Sequence, residues 1–223
     1  MSARPILYSF RRCPYAMRAR MTLLYAGIEV RLREVILKDK PAAMLAASSK
    51  GTVPVLIQSD GTVVDESRDI MRWALNQNDP AGWLECADGD NLLVDRCDNE
   101  FKHWLDRYKY AVRFPEHDEG WYRQQGEQFL AQLEIRLSQW HYLTGASLSV
   151  VDVAIAPFVR QFASVDSPWW SERPYPSVSD WLHKFINSPL FLGAMNKYPQ
   201  WLEGDADIPF PTKPHGAETR RQP

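Results

Sequence analysis

Cys13 is the side chain of this 223-residue sequence best placed to act as a nucleophile. Residues 5–10 before it form a short apolar, β-prone run. After it, residues 15–26 carry Met17, Met21, Leu24 and Tyr25 at helical spacing, with Gly27 as a C-terminal stop. The thiol therefore belongs at a strand-to-helix junction, with Pro14 at the first helical position, where its missing N–H costs nothing. A sulfur there faces the unpaired N–H groups and positive end of the helix dipole, and Arg12 and Arg18 add cationic charge. Each favours thiolate, so a lowered pKa is expected. Ala16 stands where a Cys-x-x-Cys motif would hold its second thiol. A disulfide attacked by Cys13 must then be resolved by an external thiol.

The elements around Cys13 follow in order. Residues 28–35 alternate apolar and charged as a half-buried strand, and Pro41 opens a short helix. Residues 53–57 and 62–64 read as strands joined by the turn Ser59-Asp60-Gly61, and a helix starts at Asp65-Glu66-Ser67. The order is β-α-β-α-β-β-α, an α/β thioredoxin-like N-terminal domain over residues 1–78. A linker is expected over 79–87. Beyond it strand signals disappear and an all-α C-terminal helical domain is expected over 88–202. Its helices cover 92–110, 119–143, 151–162, 176–187 and 189–197. The pair Ser149-x-x-Asp152 is a capping box, with Leu148 and Val153 placed as a hydrophobic staple. Residues 203–223, rich in proline and charge, read as a loosely held tail.

Composition narrows the function. Hydrophobic residues are 45% and charged residues 24%, with a formal net charge of −2 and both signs scattered, which gives no footprint for nucleic acid or an anionic membrane. No signal-peptide core or membrane-length apolar stretch is present. The three cysteines are an odd, widely spaced set, so a reducing cytoplasmic setting is expected, with Cys86 and Cys97 structural. The histidines lack metal-ligand spacing, and no dinucleotide or serine-hydrolase motif occurs; no metal and no nucleotide are expected.

The two-domain order, together with Cys13-Pro14-Tyr15-Ala16, resembles the glutathione S-transferase superfamily, and within it the cysteine-type, omega-like members and their bacterial relatives. Thr52-Val53-Pro54-Val55-Leu56 is similar to the family's Val-Pro segment with its cis proline. Glu66-Ser67 resembles the acidic-Ser pair that opens the third helix. Leu37-x-x-Lys40-Pro41 resembles the segment whose lysine contacts glutathione, and Ser149 to Asp152 the capping box of a core helix.

This resemblance implies glutathione as cosubstrate. Cys13 would be catalytic, Val53 and Pro54 would align the cysteinyl backbone, and Ser67 with its neighbouring N–H groups would take the γ-glutamyl carboxylate. Glu66 would take the ammonium group and Lys40 the glycyl carboxylate. Tyr8, Phe101, Trp104 and Tyr108 are candidates for the wall of an electrophile pocket between the domains. Tyr8, near the end of the first strand, is the alternative thiol-activating group, as in the tyrosine-type members of the family. The implied activity is monothiol transfer: deglutathionylation, disulfide or dehydroascorbate reduction, or reductive removal of glutathione from a conjugate. A homodimer is expected by the same resemblance. The alternative is a non-catalytic binding or regulatory protein on the same fold.

Overall fold

The structure, a computed structural model, describes residues 4–85, 91–172 and 174–212. The first half runs β1 (Ile6–Ser9), α1 (Pro14–Ala26), β2 (Val30–Glu34), α2 (Ala42–Ala47), β3 (Val55–Ile57), β4 (Val63–Val64) and α3 (Ser67–Gln77). Period-two alternation sorts its strands between two cores. Leu7, Leu32 and Leu56 lie beneath α1 and α3 with Leu23, Ile70 and Ala74. Tyr8 and Val55 point to the other face, against Met44 and Trp201. Strand β1 is parallel to β2, as a β-α-β crossover through α1 allows, and antiparallel to β3, which pairs antiparallel with β4 in a hairpin.

The sheet has a fifth strand, formed within the expected loose tail at residues 208–210; residues 213–223 of that tail lie outside the described residues. β5 (Ile208–Phe210) pairs antiparallel with β2, giving the order β4-β3-β1-β2-β5. Its three residues alternate Ile, Pro, Phe, a pattern too short to show through the surrounding charge. Phe210 is fully buried, whereas Pro209 sits on the sheet edge, where no ladder N–H is needed. Asp207 fixes the approach, accepting from Arg31 at 3.1 Å and Arg33 at 2.7 Å.

The second half is helical: α4 (Asn91–Arg96), a π-helical turn (Cys97–Phe101), α5 (Lys102–Lys109), α6 (Glu119–Leu137), α7 (Val150–Ala163), α8 (Ser167–Ser171), α9 (Pro176–Ile186) and α10 (Pro189–Ala194). The helix expected over 92–110 is thus interrupted by the π turn, and α6 stops before residue 143. Helix α7 is the centre of this half, buried on nearly every side. Its capping box is present: Asp152 accepts the Ser149 N–H at 3.0 Å, and the Ser149 hydroxyl accepts from Val151. Asp152 also receives the Leu143 N–H and the Trp181 indole N–H. One carboxylate therefore ties a loop and α9 to the start of α7. Among the described residues no helix is long and apolar enough to cross a membrane.

Arg18 joins the halves. Its side chain is fully buried and makes a paired contact to Asp98, at 2.5 and 3.0 Å, while its Nε donates to the Ala154 carbonyl of α7 at 2.7 Å. A buried guanidinium needs such saturation, because an unpaired charge in that position is strongly destabilising.

Candidate active site

The loop from β1 to α1 is held from below. The Arg11 N–H donates to Glu34 Oε1 at 2.6 Å, and Arg20, itself fully buried, reaches Glu34 Oε2 and the Asn196 carbonyl, both at 3.0 Å. The Cys13 N–H closes a turn on Phe10 at 2.9 Å. Cys13 then takes the N-cap position of α1, with Pro14 in the first turn. Its Sγ lies 3.6 Å from the Val53 carbonyl oxygen, to which the thiol donates. The Val53–Pro54 peptide is cis, and the Val53 N–H makes no hydrogen bond among the described residues.

The expected lowering of the Cys13 pKa is overturned. Burial pushes the thiol above the ordinary cysteine value, and the opposing pull of the Ala16 and Tyr15 N–H groups, Lys102 and Arg18 is smaller. Arg12 is exposed and lies over the Phe10 ring at 5.3 Å. Arg18 is committed to Asp98. From the second half, Lys102 is the cation that favours the thiolate, and the sequence did not single it out. Burial also pushes the Tyr15 phenol up to about 12, so it stays a donor beside the thiol.

Two cavities flank this point. The smaller, about 270 Å³, is lined by Tyr15, Val53, Pro54, Glu66, Ser67 and Asp98, among others. It therefore brings together four of the residues expected to bind glutathione. Ser67 is the first residue of α3, and its hydroxyl accepts from Arg18 at 3.5 Å. Glu66 is largely exposed and is paired to Lys50 at 2.6 Å, which also holds Asp65 at 2.9 Å. Lys40 lines neither cavity; its ammonium stands beside Gly51, within 3.9 Å of where a Cβ would project, in the loop leading to Val53. Gly51 needs its φ of +61°, which other residues rarely adopt.

The larger cleft, about 820 Å³, has Cys13 and Pro14 in its wall and lies between the two halves. The aromatic residues expected there are elsewhere. Phe101 is fully buried, stacked on Phe129 at 4.7 Å; Tyr108 packs on Phe162 at 4.9 Å; Trp104 is half-buried against Trp121. Tyr8 is fully buried behind the sheet, its hydroxyl accepting from Arg33 at 2.6 Å. That hydroxyl is occupied, and Tyr8 lines neither cavity. The cleft is instead faced by Lys102, Asp106 and Lys109, the opposite face of α5, and by Tyr110 and Arg160. On an amphipathic helix the aromatic stripe goes to the core and the polar stripe meets solvent or ligand. The i, i+4, i+7 spacing of those three polar residues was the signal available. Of the structural cysteines, Cys97 is buried and its thiol is pushed up strongly by desolvation. Cys86 lies outside the described residues.

Residues 7–82 match the family model described as glutathione S-transferase, N-terminal domain, and residues 101–184 match glutathione S-transferase, C-terminal domain. The chain belongs to the glutathione S-transferase family. Among curated proteins it is similar to glutathione S-transferase omega-1 of Sus scrofa, 23% identical over 216 residues, covering 95% of this chain and 88% of that one. It is also similar, 23% identical over 193 residues, to glutathione S-transferase U28 of Arabidopsis thaliana, covering 81% of this chain and 83% of that one. Among solved structures, glutathione transferase URE2P6 from Phanerochaete chrysosporium, in complex with oxidized glutathione, aligns with a TM-score of 0.74 at 17% identity. That alignment covers 86% of this chain and 94% of the other.

Proposed function

We propose that the protein is a cysteine-type, omega-like glutathione transferase that uses Cys13 as a monothiol nucleophile. The single observation that carries this reading is the position of the Cys13 sulfur, at the start of α1 and 3.6 Å from the Val53 carbonyl, with the larger cleft open beside it. Glutathione lies extended along Val53 and Pro54, with its γ-glutamyl carboxylate on the N–H groups at the start of α3. The Val53 carbonyl then accepts from the peptide N–H of the ligand, and the thiol loses its acceptor. The Ala16 and Tyr15 N–H groups and Lys102 remain to stabilise the thiolate, and the proton leaves to solvent.

The thiolate attacks the glutathione sulfur of a mixed disulfide. A Cys13–glutathione bond forms, the original S–S bond breaks, and the released thiolate carries away the electron pair. A second glutathione thiolate attacks the bound glutathione sulfur, giving oxidised glutathione and free Cys13. Disulfides and glutathionylated thiols belong to this chemistry. Dehydroascorbate enters it by a different first step, in which the Cys13 thiolate adds to a substrate carbonyl, one glutathione attacks that sulfur as ascorbate leaves with the electron pair, and a second glutathione discharges the mixed disulfide. The protein acts as a cytoplasmic homodimer in this reading. The test is glutathione-dependent reduction of 2-hydroxyethyl disulfide by wild type and Cys13→Ser. Turnover lost on substitution supports the reading; turnover that survives, or absence of both turnover and glutathione binding, refutes it. The latter result favours a non-catalytic binding role.

A further inference from the structure

The chain is mildly acidic overall, with a net charge of −2, yet the cleft over Cys13 is basic. Its walls carry Arg12, Lys102, Lys109 and Arg160, against the single carboxylate of Asp106. Asp106 is taken by Lys102, one helical turn away. Arg12, Lys109 and Arg160 take part in no ion pair with any described residue; their cationic groups lie over the rings of Phe10, Tyr110 and Phe191. Nor do they stand among the main influences on Cys13, where the cations are Lys102 and Arg18. Arg160 is the telling residue. It is half-buried on α7, and burial together with the nearby Arg11 works against its charge. A guanidinium set partly out of water without a counter-charge among the described residues is costly, and Arg160 shares the cleft wall with the apolar side chains of Phe10, Leu37 and Val165.

We propose that this cleft recognises a carboxylate on the thiol that shares it with the Cys13 sulfur, with Arg160 as the anchoring cation and Arg12 and Lys109 supporting it. This deepens the reading of Cys13 as a disulfide-exchange centre by naming the substrate class. Two thiols occupy the cleft in turn, the half released from the disulfide and the second glutathione, and either can carry that carboxylate.

Alkylation of Cys13 tests the cleft without any exchange chemistry. Iodoacetate and iodoacetamide each form a carbon–sulfur bond and release iodide, one reagent anionic and the other neutral. The ratio of their rates at Cys13, followed by peptide mass spectrometry, cancels the thiolate fraction. A ratio about tenfold above that of free glutathione in the same buffer is expected, as for one partly desolvated ion pair. Arg160→Gln should return the ratio toward that of glutathione, and Arg160→Lys should hold it up. A wild-type ratio equal to that of free glutathione, or one that Arg160→Gln leaves unchanged, overturns the proposal. The source is read from mixed disulfides of glutathione with 3-mercaptopropionate and with 2-mercaptoethanol. Loss in Arg160→Gln of a preference for the anionic disulfide assigns the carboxylate to the released half. A raised KM for glutathione with both disulfides assigns it to the second glutathione, and no change in either contradicts the proposal. Turnover surviving in Cys13→Ser would remove the exchange mechanism while the alkylation ratio still reports on the cleft.

Discussion

Removing the carboxylate that faces Arg18 is the sharpest test of how the halves are joined. In Asp98→Ala the guanidinium stays fully buried and keeps as hydrogen-bond partners the Ala154 carbonyl and the weak 3.5 Å contact to Ser67, with the Phe158 and Tyr15 rings beside it at 4.5 and 5.4 Å but no counter-charge. Breaking one side of a buried pair costs about 3–5 kcal/mol. Asp98 is 18% exposed, so water reaches part of the pair and the lower end, about 3 kcal/mol, applies. For a chain of this size that lowers Tm by about 6–12 °C. The cost arises mainly from the stranded charge, so Arg18→Met added to Asp98→Ala should recover about 1 kcal/mol rather than add to the loss. Urea unfolding of wild type, both single variants and the double variant, in the absence of glutathione, gives all four corners. A double variant that loses the full sum of the single losses refutes the reasoning.

Other consequences follow from the same contacts. A Cβ on Gly126 would sit 2.5 Å from the Phe162 ring, which is wedged among Phe101, Tyr108 and Trp169. Gly126→Ala should therefore destabilise by about 1–2 kcal/mol despite the better helix propensity, and a stabilised variant in urea would contradict it. Glu34→Gln leaves buried Arg20 without its counter-charge and should cost about 3 kcal/mol, with Cys13 alkylation altered because the Arg11 contact is weakened. In the free protein the Cys13 pKa is raised, so its thiolate fraction grows with pH and is still growing at the ordinary cysteine value. Iodoacetamide reactivity without glutathione should rise about tenfold per pH unit through neutrality; a plateau at neutral pH would contradict this.

The elements nearest Cys13 were legible because local chemistry places them. Pro14 and Gly27 punctuate α1, and Ser149 and Asp152 form a cap whose partners lie within one turn. The pocket wall was not legible in the same way. Phe101 and Tyr108 have the spacing of a wall, but the core of α6 and α7 competes for apolar surface and takes them, leaving Lys102, Asp106 and Lys109 to face the cleft. The sign of the Cys13 shift depends on how deeply distant segments bury the sulfur, which no local motif reports. The same holds for β5, whose three residues gain their meaning only beside β2, and for Lys50, whose pairing with Glu66 joins two loops.

The central claim is that Cys13 itself carries glutathione during turnover. Wild-type protein incubated with a glutathione mixed disulfide, stripped of free thiols and weighed intact, should hold one glutathione per chain. Peptide mapping should place it on Cys13, and added glutathione should discharge it at least as fast as steady-state turnover. An unmodified protein that nevertheless turns over substrate, or an adduct that glutathione cannot discharge, would contradict the mechanism.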